Sequence, residues 1–263
     1  VSAEAAAIIR FRWWPALTIC AVYALLLPLL ARGLPHWSEW AVFSVLALFT
    51  VMLALADWQQ RVHSRRFFVR HHVRPDSRWF GLLRGGWLML PWSLFKALLL
   101  SLALLAGLMS GGLAMMLMLL SPLLVYYIRD RLWIWLQHTI VEDYLVLLSE
   151  RLARRLTLLL MLAAYLLVSL YQPQPDLVGT DFADVAREAL NSAVAESQLV
   201  TGLRAVVALQ EVSFSWPLQN LIDGIESRLL WLFGWAAILL KGTLAFLPVI
   251  NLALMVQRVR GAE

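Results

Sequence analysis

Apolar residues in this chain fall into runs about the length of a bilayer-spanning helix, ~20 residues, separated by short polar segments rich in arginine or acid. Six spans follow from that pattern. The first covers about Trp13–Leu30 and the second Trp40–Ala56, with an outer turn at Pro35, His36 and Trp37 between them. The third begins between Trp87 and Lys96 and ends at Met109. Ser110-Gly111-Gly112 predicts a tight turn, and Leu113–Ile128 forms the fourth. The fifth is Leu156–Tyr171, stopped by Gln172-Pro173-Gln174-Pro175, because proline cannot donate to a helix ladder. The last run, Leu229–Val256, has 28 residues. Its helical rise of roughly 42 Å exceeds a ~30 Å hydrocarbon core, so it must tilt, kink near Pro248 or project.

Two segments carry a different pattern. In 129–155, Leu132, Leu136, Ile140, Tyr144 and Leu148 recur every four residues among charged positions. This predicts an amphipathic helix, lying on the inner surface or continuing the fourth span. Residues 172–228 form the one sizeable water-facing segment. Thr180 or Asp181 is placed to cap a helix running to about Gln198. Shorter helices are expected at Leu199–Gln210 and Pro217–Ser227. About 55 residues can scarcely build a core alone, so the segment is expected to pack on the membrane surface or on a partner.

The fold class is therefore all-α, a polytopic membrane bundle of about six transmembrane helices with a small helical extracytoplasmic segment. Its parts are an N-terminal hairpin (1–57), an Arg-rich cytoplasmic loop (58–86) and a second hairpin (87–128). A cytoplasmic or interfacial helix (129–155), a fifth span (156–171), the acidic outer segment (172–228) and a last span with a short tail (229–263) complete it. Composition agrees: 61% of residues are hydrophobic and 15% charged, against about 25% charged in soluble domains. Arg10 and Arg12 precede the first run without a cleavage motif, which reads as an uncleaved span. Cys20 is the single cysteine, so no internal disulfide can form.

Charge sets the orientation. Sixteen of the 20 arginines fall on one side of the six-span arrangement, and only Arg32, Arg187, Arg204 and Arg228 on the other. Short arginine-rich loops stay cytoplasmic, so both termini are expected inside. The Trp residues near the span ends suit interfacial positions. The expected location is the bacterial inner membrane.

Candidate chemistry is sparse. Both lysines, Lys96 and Lys241, lie within apolar runs, and an ammonium at the bilayer centre costs roughly 2.5–3.5 kcal/mol. Two readings stand: the lysines snorkel at span ends, or they face the bundle interior and bind a partner or a solute. The six spans contain no carboxylate, since Glu39 and Asp57 only flank the second. Their counter-charge is therefore expected from a backbone carbonyl, a lipid phosphate, an anionic substrate or another subunit. Arg61, Arg65, Arg66, Arg70 and Arg74 read as a polybasic lipid-headgroup site rather than a nucleic-acid surface, because the positive-inside bias already predicts such a loop. His63, His71 and His72 lack the further ligands that zinc needs, and no cofactor is expected. Gly107 and Gly111 match the GxxxG packing pattern, which a turn at 110–112 explains equally well. His138 and Glu142, at i and i+4, would share a helix face, with Asp143 beside them. The sequence contains no GxSxG, P-loop, HExxH, GxGxxG or CxxC motif.

The expected function is a non-enzymatic membrane subunit of a larger secretion, envelope or transport assembly, with membrane lipids and other membrane subunits as partners. The alternative is a transporter or channel for an anionic or amphipathic solute, lined by Lys96 and Lys241. A lipid-acting enzyme using His138, Glu142 and Asp143 ranks third.

Overall fold

The computed structural model describes residues 18, 20–72, 89–110, 112–169, 176–220 and 244–256. Among the described residues the architecture is all-helical, with eight helices. They are α1 (Cys20–His36), α2 (Glu39–His72), α3 (Leu90–Met109), α4 (Gly112–Leu136), α5 (Glu142–Ser169), α6 (Phe182–Ser192), α7 (Gln198–Asn220) and α8 (Leu244–Val256). Lys241 and Arg74 lie outside the described residues, as do the side chains of Arg66, Arg70, Glu142 and Asp143.

Helical periodicity explains what is buried. On α1, Tyr23, Leu27, Leu30 and Leu34 point inward; on α2, Val42, Leu46, Phe49 and Leu53 do so. Leu100, Leu104 and Leu108 give α3 the same stripe. α8 is set deepest: Phe246, Val249, Ile250, Leu252, Ala253 and Leu254 are all essentially inaccessible. Tyr126 of α4 donates to the Ala253 carbonyl at 2.8 Å, fixing α4 against it. Away from these stripes the helices expose large apolar residues, among them Leu25, Leu29, Phe43, Val51, Phe95, Met116, Leu120, Leu159 and Leu167. Glu39–Val62 and Leu90–Met109 are long and apolar enough to cross a membrane.

Several boundaries differ from the sequence reading. α2 does not end with the apolar run but continues to His72, through the first half of the Arg-rich segment taken as a loop. The single helix expected at 129–155 is two. α4 runs on to Leu136, a turn occupies 137–141, and α5 begins at Glu142 and passes without a break into the fifth apolar run. Thr139 hydrogen-bonds back to the Leu136 carbonyl at 3.1 Å, a local alternative to the helix ladder that helps to end α4.

The acidic segment also departs from expectation. α6 starts where predicted, with the Asp181 carboxylate accepting from Ala183 N, but ends at Ser192. The two short helices foreseen after it are one, α7, with Pro217 inside it. The pair rests on the chain's own helices. Val200 is fully buried in the main core, Glu196 N donates to the Pro35 carbonyl at 3.2 Å, and the Glu39 carboxylate caps α7 by accepting from Gln198 N at 2.9 Å. The bundle thus has two unlike ends: one carries α6 and α7, the other the arginines of α2 and α5.

Candidate functional site: a basic cleft between α2, α3 and α5

Past the apolar stripe of α2 come Asp57, Gln60, Arg61, Ser64 and Arg65, spaced so that all five lie on one helical face. Tyr144, Leu147, Arg151 and Arg154 share a face of α5 in the same way. Between them stand Met89, at the start of α3, and Lys96. These residues line an open cleft of about 880 Å³.

At its base sits Asp57. Lys96 Nζ lies 2.8 Å from Asp57 Oδ1. Arg61 Nε donates to Oδ2 from one turn further along α2, and the buried Ser93 hydroxyl donates to the same oxygen at 3.0 Å. A carboxylate taken out of water needs paired charge and filled lone pairs, and three donors from two helices provide both. The Asp57 side chain keeps 12% of its accessibility and that of Lys96 33%, so the ammonium reaches toward the cleft while the carboxylate is largely enclosed. Behind Asp57, Ala56, Gln60, Arg154, Asn251 and Leu254 enclose a space of only about 10 Å³, close to the least that holds one water.

The α5 wall is held to α2 by neutral acceptors. Arg151 Nη2 donates to Ser64 Oγ at 2.9 Å, and Arg154 Nη2 donates to Gln60 Oε1. Neither of these bonds neutralises a charge. Arg61, Arg65, Lys96, Arg151 and Arg154 face the cleft, and among its described lining residues Asp57 is the one carboxylate. Such an excess of positive charge around a partly enclosed space attracts anions. Further along α5, Glu150 pairs with Arg129 of α4 at 3.9 Å, with side-chain exposures of 4% and 10%. That pair is interior, not the solvated polar face expected of 129–155.

The sequence-predicted residues divide as follows. Lys96 has a counter-charge within the chain: Asp57, which flanks the second apolar run. Arg61 and Arg65 belong to the cleft. Arg151 and Arg154 complete the lining from α5, and the four-residue apolar pattern of 129–155 does not single them out; on α2 the signal is the polar face that continues past Ala56. His138 stands in the turn after α4, whereas Glu142 opens α5, so the two do not share a helix face. Gly107 is a packing position: a Cβ there would run into Met118 Cε and lie 3.3 Å from Ala245 Cβ. Among the described residues no group of three or more His, Cys, Asp or Glu is arranged to hold a metal ion. The chain matches no protein-family model, no curated protein and no solved structure.

Proposed function

We propose that this chain is a multi-pass membrane protein that binds and moves an anionic or amphipathic solute, loaded at the basic cleft. The observation that carries the proposal is the cleft's charge: among its described lining residues, five cationic side chains and one carboxylate surround about 880 Å³. A membrane setting is supported by the belt of exposed apolar residues on α1 to α5, since a water-soluble monomer rarely exposes so much contiguous apolar surface. Two of the helices also meet the length and hydropathy of a span. The six-span topology, with the arginine-bearing end on the cytoplasmic side of a bacterial inner membrane, belongs to the same proposal. It rests on the sorting of arginines, sixteen against four. The proposal needs no cofactor and no nucleic acid.

The reading as a subunit of a larger assembly loses two of its supports. Lys96 is paired within the chain, and the outer segment packs on its own helices. One observation favours it still: among the described residues the space behind Asp57 is only about 10 Å³.

The test is flux into proteoliposomes containing the full chain, with inorganic diphosphate, citrate and oleate as labelled probes. Uptake of at least one probe, lost in Lys96→Met, is the expected result. Binding without uptake of any probe would support the subunit reading, and the absence of both would end the proposal.

A further inference from the structure

Resting on the anion-binding reading, we infer that the solute presents a phosphoryl group: the cleft binds a phosphate ester between the paired arginines of α2 and α5. Arg61 and Arg65 stand one turn apart on α2, and Arg151 and Arg154 lie three residues apart on α5. All four line the same cleft, with Lys96 at its base. Guanidinium groups present planar forks of N–H donors that match phosphate oxygens two at a time. Among the described lining residues cations outnumber carboxylates, which suits a dianion better than a monoanion. A phosphomonoester brings roughly −1.5 to −2 with three acceptor oxygens, a carboxylate −1 with two.

Asp57 has a positioning role here. Its two oxygens hold Arg61 and Lys96 in the cleft wall. Ser64 and Gln60 accept from Arg151 and Arg154 and so orient both guanidinium groups. The cleft is also larger than an inorganic ion requires. Its 880 Å³ and the apolar faces of Met89 and Leu147 leave room for the group esterified to the phosphate, within the usual ~300–1,000 Å³ of small-molecule sites. A lipid headgroup and a water-soluble phosphate compound share this chemistry.

The experiment titrates the full chain in phosphatidylcholine nanodiscs with four probes: phosphatidic acid, oleate, inorganic diphosphate and citrate. Tighter binding of a phosphate probe than of its carboxylate counterpart, by about ten-fold or more, is the expected result. Arg151→Gln with Arg154→Gln should remove that preference, whereas Arg187→Gln, at an exposed position on α6, should leave it intact. Phosphatidic acid bound without competition from diphosphate assigns the group to a lipid; competition assigns it to a soluble compound. The double Arg→Lys variant keeps the charge and loses the forks, so it serves if the glutamine pair fails to fold. Undiminished phosphate preference in the lysine pair would overturn the inference. Oleate or citrate bound as tightly as the phosphates would overturn it too, while leaving the anion-binding reading in place. No binding by any probe would remove both.

Discussion

Lys96 of α3 and Asp57 of α2 form an ion pair at 2.8 Å, 39 positions apart in the chain. The pair joins two helices that each have the length and hydropathy of a membrane span. It also turns an apparent liability of the sequence, an ammonium within an apolar run, into a fixed part of the cleft wall.

Asp57 has three donors and Lys96 one of them, so substitution effects should be unequal. Asp57→Leu leaves Lys96, Arg61 and Ser93 without their common acceptor and should cost about 2–4 kcal/mol, as breaking a buried charge pair does. Lys96→Met leaves Asp57 with two donors and should cost about 1–2 kcal/mol. Denaturation of both variants and the double variant in mild detergent measures this, and the double variant should cost less than the two singles together. Equal costs for the singles would contradict the shared-acceptor geometry.

Gly107 of α3 packs against Met118 of α4 and Ala245 of α8. Alanine there meets first the tip of Met118, a flexible side chain, so Gly107→Ala should be tolerated. Gly107→Leu must displace Ala245 as well and should destabilise by about 1–3 kcal/mol, the range for overpacking. Thermal unfolding of the two variants decides the point, and Met118→Ala should partly rescue the leucine.

The α6–α7 segment depends on a small set of polar contacts. Asn220 donates to the Leu177 and Trp216 carbonyls and accepts from Gly179 N. Trp216 Nε1 reaches the Thr180 carbonyl at 2.8 Å, and its ring meets Phe182 edge-on. Asn220→Ala should therefore raise amide exchange over 177–181 by an amount matching about 1–3 kcal/mol, with α1 and α2 unchanged. Exchange rising uniformly across the chain would mean that the segment does not open separately.

Glu39→Ala removes the cap on α7 and one link between the α6–α7 segment and α2. A lost cap costs about 0.5–2 kcal/mol. Limited proteolysis should then cut first between Ala193 and Ser197, the stretch leading into that cap.

Much of the helix plan was legible. Apolar runs place α1 to α4 and α8, the Ser110-Gly111-Gly112 signal falls at the boundary of α3 and α4, and Asp181 marks the start of α6. The errors share a physical cause. Ending the second span at its first charge hid the fact that Asp57, Gln60, Arg61, Ser64 and Arg65 continue one helical face. The four-residue leucine pattern ran unbroken across 137–141, where no glycine or proline marks the turn. Pairing of Asp57 with Lys96, and of Arg151 with Ser64 across 87 positions, depends on which helices become neighbours, and local periodicity does not specify that.

The most direct measurement is arginine footprinting of the purified full chain with phenylglyoxal, read by mass spectrometry, with and without inorganic diphosphate. The account predicts that the anion protects Arg61, Arg65, Arg151 and Arg154, while Arg187 on α6 reacts at the same rate in both conditions. Equal protection of Arg187, or none at the four cleft arginines, would contradict it.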